Sequence, residues 1–276
     1  MLDVVSCRPA ALIGSLARPM LAFDSGGIAT HRTTTATMTL LDDVLQVSGG
    51  LEQWRRLRRV TAHLSIGGAL FSRVRGSALM KDMVVEGGVH EQPLEMTGFT
   101  APDRRALYGP DRVALERSDG QLLEERRAAA AEFRRNLQAS SWDDLLLAFY
   151  CGSLIRSYFD IPFVLADGDV VVTEGPLSKG RDKLLRPLHI RFPQRLAAHT
   201  AESTLYFDTQ ALLQRREYTA LHADGMRIAQ TYSGHQRYSG ILVPTLCRLL
   251  LMNEHDTAIS ARQSLVDIEI FDAAFE

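Results

Sequence analysis

The sequence predicts an α+β fold built on a large, curled antiparallel sheet of about nine to eleven strands, with a helix lying across its concave face. The stretch from Leu205 to Leu251 consists of short β-favouring runs separated by turn residues, which is typical of a four-strand meander. Similar runs lie on both sides of it, and a sheet that wide must curl or split. By contrast, residues 145 to 159 are apolar almost all round, which predicts a buried helix.

Composition places the chain among ordinary soluble globular proteins, since its 276 residues are 46% hydrophobic and 23% charged. The formal net charge of -2 provides no basic field, so nucleic acid is not expected as a partner. Cys7, Cys151 and Cys247 are far apart and form no C-x-x-C pair. They predict reduced, buried thiols in a cytoplasmic protein, with no metal site, no cofactor and no disulfide framework.

Residues 1 to 38 are predicted to form a flexible tail, and residues 39 to 276 a single domain. The apolar run from Ala10 to Leu16 has the look of a signal peptide, but Asp3 stands where a positive segment belongs and Pro19 closes the run early. A cytoplasmic location is therefore expected in preference to a periplasmic one. No stretch reaches the ~18 apolar residues of a membrane-spanning helix, so no integral membrane segment is expected.

Two short helices open the predicted domain. Thr39, followed three residues later by Asp42, predicts a capping box for the first helix, and Gly49-Gly50 separates it from a second helix that contains Trp54. From Val60 the apolar residues recur with period two, which predicts a strand up to Gly67-Gly68 and further strands after it. Later strand candidates are 79–86, 91–100, the hairpin 112–126, 170–174, 184–192, 203–207 and 265–271.

The buried helix is predicted to begin at a serine cap, Ser140 or Ser141, and to stop before Ile161-Pro162. Asp143 and Asp144 would then lie in its first turn, where the helix dipole favours carboxylates. An alternative interpretation places them, with Trp142, as an acid pair at the mouth of a cavity.

Within the meander, Gln214, Arg216 and Tyr218 fall on one face of a strand, so that face is not purely apolar. This indicates a partly wet face or a sheet that lines a cavity. Pro244 cannot donate to a sheet ladder, which predicts an edge or a bulge at that point. The turns are expected at Asp208-Thr209, 222–225, Ser233-Gly234 and Ser239-Gly240.

Familiar catalytic motifs are missing. The loop from Gly175 to Lys183 has two glycines at phosphate-loop spacing but lacks the Lys and the Ser or Thr that bind phosphate and magnesium. No serine lies in a G-x-S-x-G elbow, and no histidine pair has zinc-protease spacing.

Several of these features together resemble the bacterial LolA/LolB-type lipoprotein-carrier fold over roughly residues 39 to 275. They are Gly49-Gly50 with Trp54, the long meander, the helix midway, and the G-x-x-V-P segment at Gly240 to Pro244. The segment from Phe192 to Ala220 is similar to a bacterial family without an assigned function. This resemblance implies a half-barrel whose helices plug an apolar cavity.

We therefore expect a protein that binds or carries a small-to-medium hydrophobic ligand, such as a lipid or an acyl chain. The alternative is an enzyme that performs acid-base chemistry on a hydrophobic metabolite in the same cavity. No catalytic residue and no oligomeric state follow from the sequence. The candidate ligand-binding residues are His199, Tyr218, His235, Trp142, Phe149 and Tyr150.

Deletion of residues 1 to 37 should leave the thermal midpoint nearly unchanged, because the segment carries no periodic apolar pattern with which to pack. Thermal unfolding of the full and truncated chains measures this. A fall of more than ~5 °C, about 1 kcal/mol in a chain of this size, would show that the segment is packed.

Overall fold

A computed structural model describes residues 39–75, 79–91, 93–128, 135–137, 139–180, 183–196, 200–220, 226–252 and 264–276. The predicted tail and the candidate residue His199 lie outside these ranges. The described helices are α1 (Leu40–Val47), α2 (Leu51–Arg56), α3 (Ala69–Arg75) and α4 (Asp144–Asp160), with a short 3-10 helix at Phe163–Ala166. No described helix is long and apolar enough to cross a membrane.

Strands make up most of the rest. In chain order they are β1 (Arg59–Gly67), β2 (Leu79–Gly88), β3 (Leu94–Thr97), β4 (Arg104–Tyr108), β5 (Arg112–Arg117), β6 (Leu122–Arg127), β7 (Val171–Glu174), β8 (Ser178–Lys179), β9 (Leu184–Arg191), β10 (Glu202–Phe207), β11 (Leu213–Thr219), β12 (Arg227–Tyr238), β13 (Ile241–Leu251) and β14 (Val266–Phe275).

These strands form one open antiparallel sheet with the order β6-β5-β4-β3-β2-β1-β14-β13-β12-β11-β10-β9-β7, and β8 pairs with β9. The carboxyl-terminal strand β14 lies between β1 and β13. It therefore joins a meander from the first half of the chain to a meander from the second half. The α+β class and the large antiparallel sheet predicted from the sequence are confirmed.

The predicted strand number is too low, because the described part of the chain contains 14 strands. Strand β4 was missed since its sequence, RRALY, begins with two arginines and has no apolar alternation to mark it. Strand β8 is only two residues long. Elements of these lengths leave too little periodic signal to detect in a sequence.

The segment after Gly67-Gly68 is helix α3, where the sequence suggested another strand. Phe71 and Val74, three residues apart, are both buried, and this spacing places them on one helical face. Gly68 permits the turn, because its φ of +123° is in the left-handed region and a Cβ there would lie 2.4 Å from the Leu265 carbonyl oxygen.

The meander has the four predicted strands, but Ser233-Gly234 is not a turn and lies inside β12. Gly234 has a φ of +67°, and a Cβ on it would come within 2.3 Å of the Thr245 hydroxyl. A glycine here therefore lets the strand continue past a close approach to β13. Pro244 lies on β13, beyond the segment Leu246–Leu249 that pairs with β14, so its missing N–H interrupts no β13–β14 pair.

Helix α4 is buried along its whole length against the sheet. Its cap is Asp143, where a serine was predicted: the Asp143 carboxylate accepts a hydrogen bond from the Leu146 N–H at 2.7 Å and pairs with Arg126 at 2.6 Å. Asp144 pairs with Arg104 at 3.2 Å. Capping and ion pairing therefore account for both carboxylates.

The helix contacts both halves of the sheet. On one side Phe149 meets Tyr108 of β4 with ring centroids 5.8 Å apart, and Gly152 lets the backbone approach so closely that a Cβ would lie 2.3 Å from Tyr108. On the other side Tyr158 lies 5.9 Å from Tyr232 of β12 and donates a hydrogen bond to the Pro244 carbonyl oxygen. The prediction of a helix in the core is confirmed.

A buried arginine fastens the end of α4 to the β2–β3 turn. Arg156 donates to the carbonyl oxygens of Gly88 at 2.8 Å and Glu91 at 3.1 Å, and it pairs with Asp160 at 2.5 Å. Burial raises the pKa of Asp160, and Arg156 opposes that rise. The pair leaves neither charge alone in the core, which would be costly.

A second, smaller core lies under α1, whose predicted capping box between Thr39 and Asp42 is present. Leu40 and Val44 of this helix pack with Leu188 of β9 and Leu205 of β10. These contacts cover the part of the sheet that α4 does not reach.

Phe149→Ala should lower the free energy of unfolding by ~3 to 5 kcal/mol, since it deletes a fully buried ring between α4 and β4. Chemical denaturation measures the loss. The matched control is Phe271→Ala on β14, where the ring is 46% exposed, and it should cost far less. Equal effects of the two substitutions would place Phe149 outside the core.

Candidate functional site

A cavity of about 450 Å³ lies between the start of α4 and the inner face of β11–β13. Helix α3 and the segment before α4 form its other walls. Aliphatic side chains and the rings of Trp142, Tyr150 and Tyr218 dominate the lining, and Arg73 and Ser140 are exposed at its rim. The aliphatic lining residues are Leu70, Leu137, Ala139, Ala220, Met226, Ile228, Leu249, Leu251 and Leu265.

Strand alternation places the sheet residues of this site. Tyr218 and Ala220 are buried, while Thr219 between them is exposed. The side chains of Tyr218, within β11, and of Ala220, directly after β11, therefore both point inward. Tyr218 is opposite Ile228, and Ile228 is opposite Leu251 on β13. The three side chains therefore form one apolar row across three strands.

The opposite wall is held by the start of α4. The backbone N–H of Trp142 donates to the backbone carbonyl oxygen of Val74 at 3.2 Å, and this hydrogen bond ties the segment to α3. The Trp142 ring lies 5.0 Å from the ring of Tyr150, eight residues further along the chain. Because Asp143 caps the helix directly after Trp142, the position of the indole is set by the start of the helix.

Burial raises the pKa of Tyr218 to about 12 and raises the pKa of Tyr150 well above its ordinary value of 10.0. Both phenols therefore stay protonated at neutral pH. In this state they can donate hydrogen bonds into an apolar space but cannot act as bases.

The structure brings three of the candidate residues together, namely Trp142, Tyr150 and Tyr218. Phe149 points to the other side of α4, towards Tyr108. His235 lies on β12 seven residues beyond Ile228, the partner of Tyr218, and is therefore about 23 Å away along the strand. His199 lies outside the described residues, so its position relative to the cavity is not defined.

Sequence reasoning missed the contribution of α3 and of β13 to the site. Leu70 and Leu249 look like any other core leucines, and nothing in their spacing marks them as cavity walls. The alternation that placed Arg216 and Tyr218 on one face was the available signal, and it led to only part of the lining.

A larger groove of about 720 Å³ lies at the ends of β1–β5, but it is open and lined largely by charged residues and glycines. Its polar lining includes Arg58, Glu86, Glu91, Asp111 and Arg112. This groove is wide open to solvent, whereas the cavity beside α4 is more enclosed, so that cavity is the candidate site.

No protein-family model matches the chain, and no curated protein matches it. Solved structures of other proteins are similar to it, among them three from bacteria. They are a LolA superfamily protein from Nitrosomonas europaea (10% identity, 86% of this chain and 94% of that chain, TM-score 0.49), an outer membrane lipoprotein-sorting protein domain from Vibrio parahaemolyticus (8%, 86% and 91%, 0.48) and a DUF1329 family protein from Desulfovibrio piger (9%, 86% and 92%, 0.50).

At these identities the likeness concerns the fold alone, and the predicted resemblance to a LolA-type fold is confirmed at that level. The predicted cytoplasmic location is corrected: one neighbour is named as an outer membrane lipoprotein-sorting protein domain, a name that points away from the cytoplasm. The cysteines were read correctly as free and buried, but the step from them to a cytoplasmic location was wrong. Cys151 and Cys247 are free but buried, and burial protects a thiol in any compartment.

His235 should make the protein sensitive to acid. Burial lowers its pKa from the ordinary 6.5, so the unfolded chain binds the proton more readily than the folded one. Stability is then lost as the pH falls below about 6.5, and His235→Gln should lose less stability than the wild type between about pH 7 and pH 5. Denaturation midpoints at both pH values measure this, and identical pH dependence in the two proteins would contradict it.

Proposed function

We propose that the protein binds or carries a hydrophobic ligand, lipid or acyl-like, in the cavity between α4 and β11–β13. The observation that carries the proposal is the cavity itself. Its volume of about 450 Å³ lies within the range of small-molecule sites, and its walls are mainly aliphatic and aromatic.

The polar groups of the cavity support binding. The Tyr150 and Tyr218 hydroxyls are held protonated by burial, so they can orient a polar atom of a ligand by donating to it. Acid-base chemistry would need a group that changes its protonation state near neutral pH. The candidate histidine His235 is about 23 Å from Tyr218 along β12, so no specific observation favours the enzymatic alternative.

The location of the cavity also suits a ligand with a long apolar part. It lies between α4 and the sheet, two surfaces that otherwise bury apolar side chains against each other. An apolar chain that enters this space leaves water for the same apolar environment. The transfer contributes roughly 25 cal/mol of favourable free energy per Å² of apolar surface buried.

Ala220→Phe should abolish binding of an environment-sensitive hydrophobic dye, because the added ring fills the cavity from the end of β11. Dye fluorescence in the folded state measures binding, and thermal unfolding checks that the variant still folds. The matched control is Thr219→Phe, which adds the same ring to the neighbouring, exposed position on the opposite face.

The control should bind the dye as the wild type does. If the wild type binds neither the dye nor a natural lipid, the carrier proposal fails. Undiminished binding by a folded Ala220→Phe variant would move the site elsewhere.

A further inference from the structure

Arg216 of β11 is a buried arginine without a carboxylate partner. Its residue is only 5% exposed, and no described residue forms an ion pair with it. Its contacts are a hydrogen bond from Nη1 to the Ser157 hydroxyl at 3.1 Å and the rings of Phe192 and Tyr218, which lie 5.7 Å and 5.0 Å from Cζ.

The other buried arginine shows what a purely structural arrangement looks like in this protein. Arg156 has three backbone carbonyl acceptors and the Asp160 carboxylate at 2.5 Å. A guanidinium taken out of water without such a partner is strongly unfavourable, because the desolvation of the charge is not compensated. Arg216 has no such anionic partner among the described residues.

The atoms around Arg216 are also short of hydrogen-bond partners. Sheet register places Gln230 directly opposite it and Ser203 opposite its neighbour Tyr218. Arg216 Nε, Ser203 Oγ and Gln230 Oε1 are buried and have no partner among the described residues. Since buried polar atoms are nearly always satisfied, a polar group from outside the described residues, water or a ligand, is expected at this point.

The Tyr232 hydroxyl belongs to the same group. It is buried, which raises its pKa well above the ordinary 10.0, and Arg216 is close enough to oppose that rise. We call Arg216, Ser203, Gln230 and Tyr232 the polar row.

Gln230 contributes an unused acceptor to this row. Its amide nitrogen Nε2 donates to Cys247 Sγ at 3.1 Å, which leaves the amide oxygen Oε1 without a partner among the described residues.

The polar row lies next to the cavity lining on each strand, at buried positions that do not themselves line the cavity. On β11 the cavity-lining residue is Tyr218, and the next inward position, about 6.6 Å further on, is Arg216. On β12 the cavity-lining Ile228 is followed at the next inward position by Gln230. The apolar side chains of the cavity wall are therefore followed on β11 by the charged guanidinium of Arg216. This arrangement matches a ligand with an apolar tail and an acidic head.

We infer that the ligand is a single-chain amphiphile with an acidic head, a carboxylate or a phosphate, whose oxygens accept hydrogen bonds from the buried, carboxylate-free Arg216 while its tail fills the cavity. This inference rests on the proposed function. Arginine suits the role because its planar fork binds carboxylate and phosphate oxygens in pairs.

Three probes with the same tail separate the alternatives: dodecanoate, dodecyl phosphate and dodecanol. Binding is followed by calorimetry and by the fluorescence of Trp142, which lines the cavity, at a pH well above the pKa of the dodecanoate carboxyl group. The wild type should bind one or both acidic probes at least about tenfold more tightly than dodecanol, as expected for a hydrogen bond to a charged group. The stronger acidic probe identifies the head as carboxylate or phosphate.

Arg216→Gln should abolish the preference for the acidic probes and keep the binding of dodecanol. Arg216→Lys should retain part of the preference for the acidic probes. The matched control is Arg215→Gln. Arg215 is the next residue on β11 and pairs with Glu217 at 2.9 Å, so this variant should keep the full preference.

Equal binding of all three probes by the wild type would overturn the inference and leave the proposed function standing. A preference that survives in Arg216→Gln would also overturn it. If none of the probes binds, the proposed function itself fails. Should Arg216→Gln not fold, the preference of the wild type and of Arg216→Lys still decides the question.

Discussion

The structure depends on one constraint: helix α4 is apolar on nearly every side and must be covered on nearly every side. Fourteen of its 17 residues are buried. A flat sheet could cover only one face of such a helix, so the sheet has to curl around it. Each large apolar side chain that it removes from water contributes roughly 1.5–3 kcal/mol, which makes this helix a major source of stability.

Specific contacts then fix how the helix lies in the sheet. Gly152 brings its backbone against Tyr108, and Arg156 ties its last turns to the β2–β3 turn. On the far side Tyr158 is bonded to β13 at Pro244. The helix is thus held at three points, and the cavity is the space left near its start, where Trp142 and Tyr150 face β11–β13 without filling the gap.

Much of the fold could be predicted because its signals are local. The run from Leu145 to Phe159 predicted a buried helix, and the alternation of Val266, Ile268 and Ile270 predicted the closing strand. The helix cap was misplaced because Ser140, Ser141 and Asp143 are all good capping residues within one turn. The location of β14 between β1 and β13 could not be predicted, since no local pattern encodes pairing between the two ends of a domain.

The site was only partly predictable for the same reason. Alternation placed Arg216 and Tyr218 on one face, but which residues lie opposite them depends on register, and a single-residue slip would reverse the faces. Register places His235 far from Tyr218 and places Gln230 beside Arg216. That no described carboxylate pairs with the buried guanidinium of Arg216 is a property of the folded sheet.

The central claim is that the space between α4 and β11–β13 holds a ligand. Native mass spectrometry of the protein, purified from its source without detergent, tests it most directly. The account predicts a mass excess that corresponds to one bound amphiphile and disappears on denaturation. A native mass equal to that of the bare chain, unchanged after incubation with acidic single-chain lipids, would contradict it.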